Sequence, residues 1–145
     1  ERWTNRSTAD DLLAESTDGI NWTKPDLGLV EYQGSTANNL IKILPAKLGI
    51  INVKVLINDD QSDPQRRYIM TAQTWWCDDN NKGRGTIAVM FSADGLTWQL
   101  ATDAQPKAGR LPLDSIQLPA HHFEAAGGLY RWDGYYYATG QSNSS

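Results

Sequence analysis

One cysteine, two histidines, two phenylalanines and two methionines are all that this 145-residue chain contains of those types. A single cysteine, Cys77, excludes an internal disulfide framework and leaves the redox compartment open. Sustained 3.6-residue apolar periodicity between caps is missing everywhere, so helices longer than short turns are not expected. Long apolar runs are missing too. The most apolar stretch, Leu48 to Ile57, is interrupted by Asn52 and Lys54 and is far too short to cross a bilayer. Net charge is −4 and the basic residues are scattered, which leaves no electrostatic footprint for nucleic acid. Neither a signal peptide nor a transit peptide is visible. The expected class is a globular chain with no nucleic-acid and no membrane partner.

What the chain does contain is a motif written twice. Ser16-Thr17-Asp18-Gly19-Ile20-Asn21-Trp22 and Ser92-Ala93-Asp94-Gly95-Leu96-Thr97-Trp98 both read Ser-x-Asp-Gly-x-x-Trp, aligned without a gap. Each follows an apolar stretch, Leu12–Ala14 or Ile87–Phe91. The chemistry is that of a hairpin: Asp-Gly supplies the positive backbone angles of a tight two-residue turn, Ser and Asp can bond turn amides, and Trp opens the returning strand.

A second repeat interleaves with the first. Arg67–Gln73 and Tyr135–Gln141 share Tyr68/Tyr136, Thr71/Thr139 and Gln73/Gln141. Each is a β-rich run after a polar turn, and each is preceded by another strand candidate, Ile51–Ile57 or Gly128–Trp132. One unit therefore reads inner strand, turn, second strand, long loop, third strand, Asp-Gly turn, fourth strand. The expected fold class is all-β, a β-propeller fragment of four-stranded antiparallel blades of the five-bladed type. A β-sandwich is the competing architecture, but two repeats in register with each other favour blades. The expected organisation is a single partial domain: 1–49 as the second half of one blade plus a linker, 50–120 as a full blade plus a linker, and 121–145 as the first half of the next. Two blades do not close a ring. The expected complement is the remaining blades of the same protein or further copies in a homo-oligomer.

Six Trp and six Tyr against two Phe is an informative bias. Amphipathic aromatics suit places where an apolar ring meets a polar partner, and sugar rings are such partners; packing between blades would use many of them as well.

The stretch Ala14–Leu29, followed by Glu31-Tyr32-x-Gly34-Ser35-x-x-Asn38-Asn39, resembles five-bladed β-propellers of the glycosidase type, and so do Arg66–Met70 and Phe91–Gly95. That group includes the arabinanase and xylosidase family (glycoside hydrolase family 43) and the invertase-like family (family 32). The resemblance implies a glycoside hydrolase acting on plant or microbial polysaccharide or oligosaccharide, placed outside the cell or in the periplasm, with no cofactor and no metal. It also implies three carboxylates converging at the mouth of a central channel, two of them around the scissile bond with one protonated and one ionised. Hydrolysis is therefore expected only where the rest of the protein or a partner supplies the carboxylates missing from this chain. Glu124, at the start of an inner strand, matches the general acid. Asp63 is a weaker match: Ser62-Asp63-Pro64 resembles the Arg-Asp-Pro of invertase-like enzymes without its Arg, and it falls after the inner strand rather than before it.

Where the resemblance places a stabilising carboxylate, this sequence has Asn38, Asn39 and Asn52, which bind hydroxyls but do not act as bases. His121 and His122 are candidates to orient Glu124 or to bond a sugar. As strand neighbours they point to opposite faces, which disfavours a shared metal. Trp75 and Trp76 stand at the root of a polar loop, Asp78–Gly85, and the outward one, represented by Trp76, is a candidate to stack on a sugar ring. The alternative function is a non-catalytic, lectin-like propeller assembled from several chains.

Overall fold

A computed structural model describes residues 11–46, 48–58, 62–77, 83–101, 111–112, 123–124 and 127–142. Two compact units result, Asp10–Lys42 and a second built from Ile43–Ser145. Among the described residues there is no α-helix, and the sole helical turn is a three-residue 3-10 segment, Pro64–Arg66.

The larger unit is organised by a mixed sheet. Its strands are β1 (Lys42–Leu44), β2 (Ile51–Ile57), β3 (Tyr68–Cys77), β4 (Gly83–Ser92), β5 (Thr97–Leu100) and β6 (Leu111–Pro112). The order is β1-β5-β4-β3-β2, and β6 runs parallel to β3 at Trp76 and Cys77. Within it, β2 to β5 form an antiparallel meander from Ile51 to Leu100, four consecutive strands within the expected 50–120 segment.

β3 and β4 are each ten residues long and pair without interruption from Tyr68↔Ser92 to Cys77↔Gly83. Alternation decides what they bury. Met70, Ala72 and Thr74 of β3 share one face with Thr86, Ala88, Met90 and Ser92 of β4, and all are buried. Trp98 and Leu100 continue that face on β5. β3 is central enough that Ile69, Thr71 and Gln73, on the opposite face, are buried as well. Thr74 meets the polar requirement of its burial by donating its hydroxyl to the Gly49 carbonyl at 2.8 Å.

The two polar interruptions of the apolar run Leu48–Ile57 divide into a bulge and a plain strand position. The pairing slips between Ile51↔Gln73 and Lys54↔Thr71, leaving one extra residue on β2. Asn52 takes up the slack at φ 55°, a left-handed conformation that Asn tolerates far better than a β-branched residue. Its side-chain amide donates to Gln73 Oε1 at 3.0 Å. Asn52→Val loses both the bond and the conformation, whereas Asn52→Gly loses only the bond. We expect urea melts to place the Val variant about 1–2 kcal/mol below the Gly variant.

After the sheet come β7 (Phe123–Glu124), β8 (Leu129–Trp132), β9 (Tyr135–Ala138) and β10 (Gln141–Ser142). β8 and β9 form a hairpin, while β7 pairs antiparallel with β10. The hairpin turn is Asp133-Gly134, with both residues at positive φ (48° and 80°), as a type I′ turn requires. Between β7 and β8, Gly127 lies so close to Thr139 that an added Cβ would stand 2.7 Å from its carbonyl carbon. Only glycine permits that approach.

The smaller unit has no extended strand among its described residues. Three isolated antiparallel bridges, Leu12↔Leu40, Glu15↔Thr23 and Tyr32↔Ser35, hold it together with side-chain bonds to the backbone. Leu40 is its one fully buried apolar residue among those described.

Candidate functional site

The repeated motif builds the same loop twice. In both copies the Ser hydroxyl donates to Asp Oδ1 at 3.0 Å and accepts the Gly amide, at 2.8 Å in one and 2.9 Å in the other. The same Asp Oδ1 accepts the amides two and three residues on, Ile20 and Asn21 or Leu96 and Thr97, all within 2.8–2.9 Å. The Trp indole then donates to the Gly carbonyl, at 3.2 Å from Trp22 and 3.0 Å from Trp98. Even the flanking pairing repeats, since Glu15↔Thr23 and Phe91↔Gln99 occupy equivalent positions on either side of the two loops.

This geometry corrects the expected turn. Gly19 and Gly95 have positive φ, but Asp18 and Asp94 do not, and the connection from Ser92 to Thr97 is a four-residue loop. The aspartate side chain takes the place of a turn carbonyl by gathering amides, so the loop is wider than a two-residue turn. The tight Asp-Gly turn occurs instead at Asp133-Gly134, where no Ser precedes the Asp to draw its carboxylate into a loop network.

Amide donation has an electrostatic consequence. Hydrogen bonds from the Asn21 and Ile20 amides hold the Asp18 carboxyl well below the ordinary carboxylate range. For Asp94 burial pushes the value up, but the Thr97 and Leu96 amides with the Ser92 hydroxyl outweigh it, and the net shift is downward. A lowered folded-state value means that the ionised form contributes stability above about pH 4, which is lost as pH falls through the folded value. Asp94→Asn keeps the acceptor oxygen without the charge. Acid titration of unfolding is expected to show wild type more stable at neutral pH, with the difference closing as pH falls through the lowered folded-state value of Asp94.

The residues singled out by resemblance fall in several places. Glu124 lies on β7 with Gln141 of β10 as its register partner, in the strand pair whose two strands flank the β8–β9 hairpin in the chain. His121 and His122 lie outside the described residues, as do the acidic positions Asp78 and Asp79 and their neighbours Asn80 and Asn81. Trp76 pairs through its backbone with Arg84 and Leu111. Asp63 caps the 3-10 turn: Oδ1 accepts the Gln65 amide at 2.9 Å, and Oδ2 lies 3.3 Å from Arg66 Nε. Both oxygens are thus engaged in its own turn. Asn38 donates to the carbonyls of Val30 and Ser35 and accepts the Leu40 amide, and Asn39 donates to the Leu13 carbonyl at 2.6 Å. Those bonds hold the smaller unit in shape. Among the described residues no three metal-binding side chains cluster.

Two surfaces were not singled out by sequence. A groove of about 700 Å³ beside the second motif is lined by Gln65, Arg66, Phe91, Thr97 and Gln99. The Arg66 guanidinium covers the Phe91 ring at 4.7 Å, so that ring face is already occupied.

The second surface is the β8–β9 hairpin. Its register pairs Tyr130 with Tyr137 and Trp132 with Tyr135, and alternation puts all four on one face. Tyr130 and Tyr137 stack with centroids 5.2 Å apart and planes 10° from parallel. Trp132 and Tyr135 are 72% and 67% exposed, so the face is open at its tip. On the opposite face the Arg131 guanidinium lies 5.5 Å from the Tyr136 ring, and the Tyr136 hydroxyl donates to Asn58 Oδ1, anchoring the hairpin to the end of β2. The sequence signal was the run Tyr135-Tyr136-Tyr137, legible as strand but not as platform until the register was known.

No protein-family model, no curated protein and no solved structure matches this chain.

Proposed function

We propose that this chain is part of a carbohydrate-active β-propeller and that it contacts sugar through the aromatic face of the β8–β9 hairpin. The observation that carries the proposal is the shared face of Tyr130, Tyr137, Trp132 and Tyr135, open at its tip and anchored from behind by Tyr136. Flat aromatic rings offer their faces to the C–H face of a pyranose, and phenol hydroxyls offer bonds to its rim. The antiparallel meander β2–β5 and the recurrence of one loop at Ser16–Trp22 and Ser92–Trp98 support blades as the setting.

The test is titration with a panel of neutral oligosaccharides, followed by calorimetry or amide shifts. Trp132→Ala and Tyr135→Ala are each expected to weaken binding about tenfold, equivalent to about 1.4 kcal/mol, with melting unchanged because both side chains are exposed. A panel that binds nowhere, or binds both variants as tightly as the wild type, overturns the reading.

Hydrolysis is the fuller form of the same proposal. It rests on the family resemblance and on Glu124, which the reading makes the general acid. β7 carries Glu124 into the strand pair next to the hairpin in the chain, so sugar held by the platform would lie along the same segment.

A further inference from the structure

Two copies of one loop have acquired opposite surroundings. On the second copy Ala88, Met90, Trp98 and Leu100 form one face, with exposures of 2, 0, 2 and 4%. Their counterparts in the first copy are Leu12, Ala14, Trp22 and Lys24, all exposed, Leu12 at 60% and Trp22 at 62%. The Ser, Asp and Trp side chains make the same bonds to the loop backbone in both copies, Asp18 accepting one more from the Asn21 side chain, so the difference in burial lies in what packs beside them.

Backbone direction identifies the missing neighbour. On β4, Val89 accepts the Ala101 amide and Phe91 pairs with Gln99, so the odd-numbered residues turn their backbone groups to the β5 side. The even-numbered residues, Ala88 and Met90, turn theirs to β3, opposite Ala72 and Met70. In the first copy Leu13 donates to the Asn39 carbonyl, and Glu15 exchanges both bonds with Thr23. Leu12 and Ala14 therefore direct their N–H and C=O groups to the other edge, where no backbone partner stands among the described residues. An open edge beside an exposed apolar face is a template for strand addition.

We propose that the Leu12–Ala14 edge receives an antiparallel β-strand of the kind represented by β3. The occupant is an extended polypeptide with small or apolar side chains opposite Leu12 and Ala14, as Ala72 and Met70 stand opposite Ala88 and Met90. It carries that apolar face over Trp22. The same interface is already built once in this molecule, between β3 and β4, and continuing it on the first copy uses the same loop, the same edge and the same alternation. This inference is independent of the sugar-binding proposal, since it concerns backbone pairing in the smaller unit.

The test is amide hydrogen exchange on the whole chain, read by NMR, with and without a synthetic peptide of the sequence Tyr68–Thr74. At saturating peptide the Leu12 and Ala14 amides are expected to exchange about tenfold more slowly or better, while Leu13, already bonded, is unchanged. A peptide N-methylated at the alternate residues that face the edge is expected to lose the effect. The proposal is overturned by unchanged exchange, or by equal protection from the methylated peptide, which would mean apolar adhesion rather than strand pairing. It is overturned as well if protection appears without peptide and rises with protein concentration, which would assign the edge to a second copy of the chain.

Discussion

Trp98→Ala is expected to destabilise the larger unit by about 3–5 kcal/mol, whereas Trp22→Ala at the same place in the repeated motif should shift stability by less than about 0.5 kcal/mol. The two indoles make the same hydrogen bond to a Gly carbonyl, at 3.0 and 3.2 Å. That bond therefore does not separate them. Burial does: Trp98 is 2% exposed within a face completed by Met90, Leu100 and Met70, and Trp22 is 62% exposed. Removing Trp98 forfeits the transfer of a large ring from water and leaves a cavity that the paired strands β4 and β5 cannot collapse to fill. Urea melts of both variants, followed by far-ultraviolet circular dichroism, measure the difference. Equal losses would mean that the indole-to-carbonyl bond, rather than burial, sets the contribution of this Trp.

Glu124→Gln is the substitution with the largest expected effect on chemistry. If the proposed hydrolysis operates, turnover of an aryl glycoside should fall by about 10²–10⁴-fold, because an amide cannot deliver the proton to the leaving oxygen. The melting curve and the affinity for intact oligosaccharide should be nearly unchanged, since β7 pairs with β10 through backbone groups that the substitution leaves in place. A leaving group that needs no proton is expected to recover much of the rate, the signature of lost acid assistance rather than lost fold. Unaltered turnover in Glu124→Gln would remove this residue from the acid role and leave the aromatic face as a binding surface alone.

Much of the strand layout was legible because it depends on local chemistry. Ile51–Ile57 alternates and is β-branched, and β2 occupies those seven residues. Tyr135–Ala138 is β9, and the Tyr-rich run before Thr139 was readable as a strand from propensity alone. The motif was legible as a repeated unit for a related reason: its hydrogen bonds close within the motif, so neighbours in sequence are sufficient to specify them. Its turn type is not decided by Asp-Gly alone, because that pair is compatible with both a two-residue turn and a wider carboxylate-capped loop. What distinguishes the two is the Ser two residues earlier, whose hydroxyl engages the same carboxylate.

The candidate site was less legible. Asn38 and Asn39 carry the right functional groups for a sugar, yet whether an amide is available depends on which carbonyls the fold brings to it, and here they are those of Val30, Ser35 and Leu13. Asp63 presents the same ambiguity, and its carboxylate is engaged by the Gln65 amide and Arg66. Asn52 stands at a bulge, a location that only the slip in pairing with β3 defines.

By itself, then, the sequence determined the β character of the chain, the positions of its main strands and the recurrence of one loop at Ser16 and again at Ser92, because periodicity and short-range hydrogen bonding are local. Tertiary structure decided register and burial, which are long-range. Register put Tyr130, Trp132, Tyr135 and Tyr137 on one face of a hairpin. Burial made Trp98 a core residue and Trp22 a surface residue of the same motif. Closely similar local sequence yields the same local geometry, but the free energy of an aromatic side chain is set by what removes it from water, and that neighbour is a strand remote in the chain.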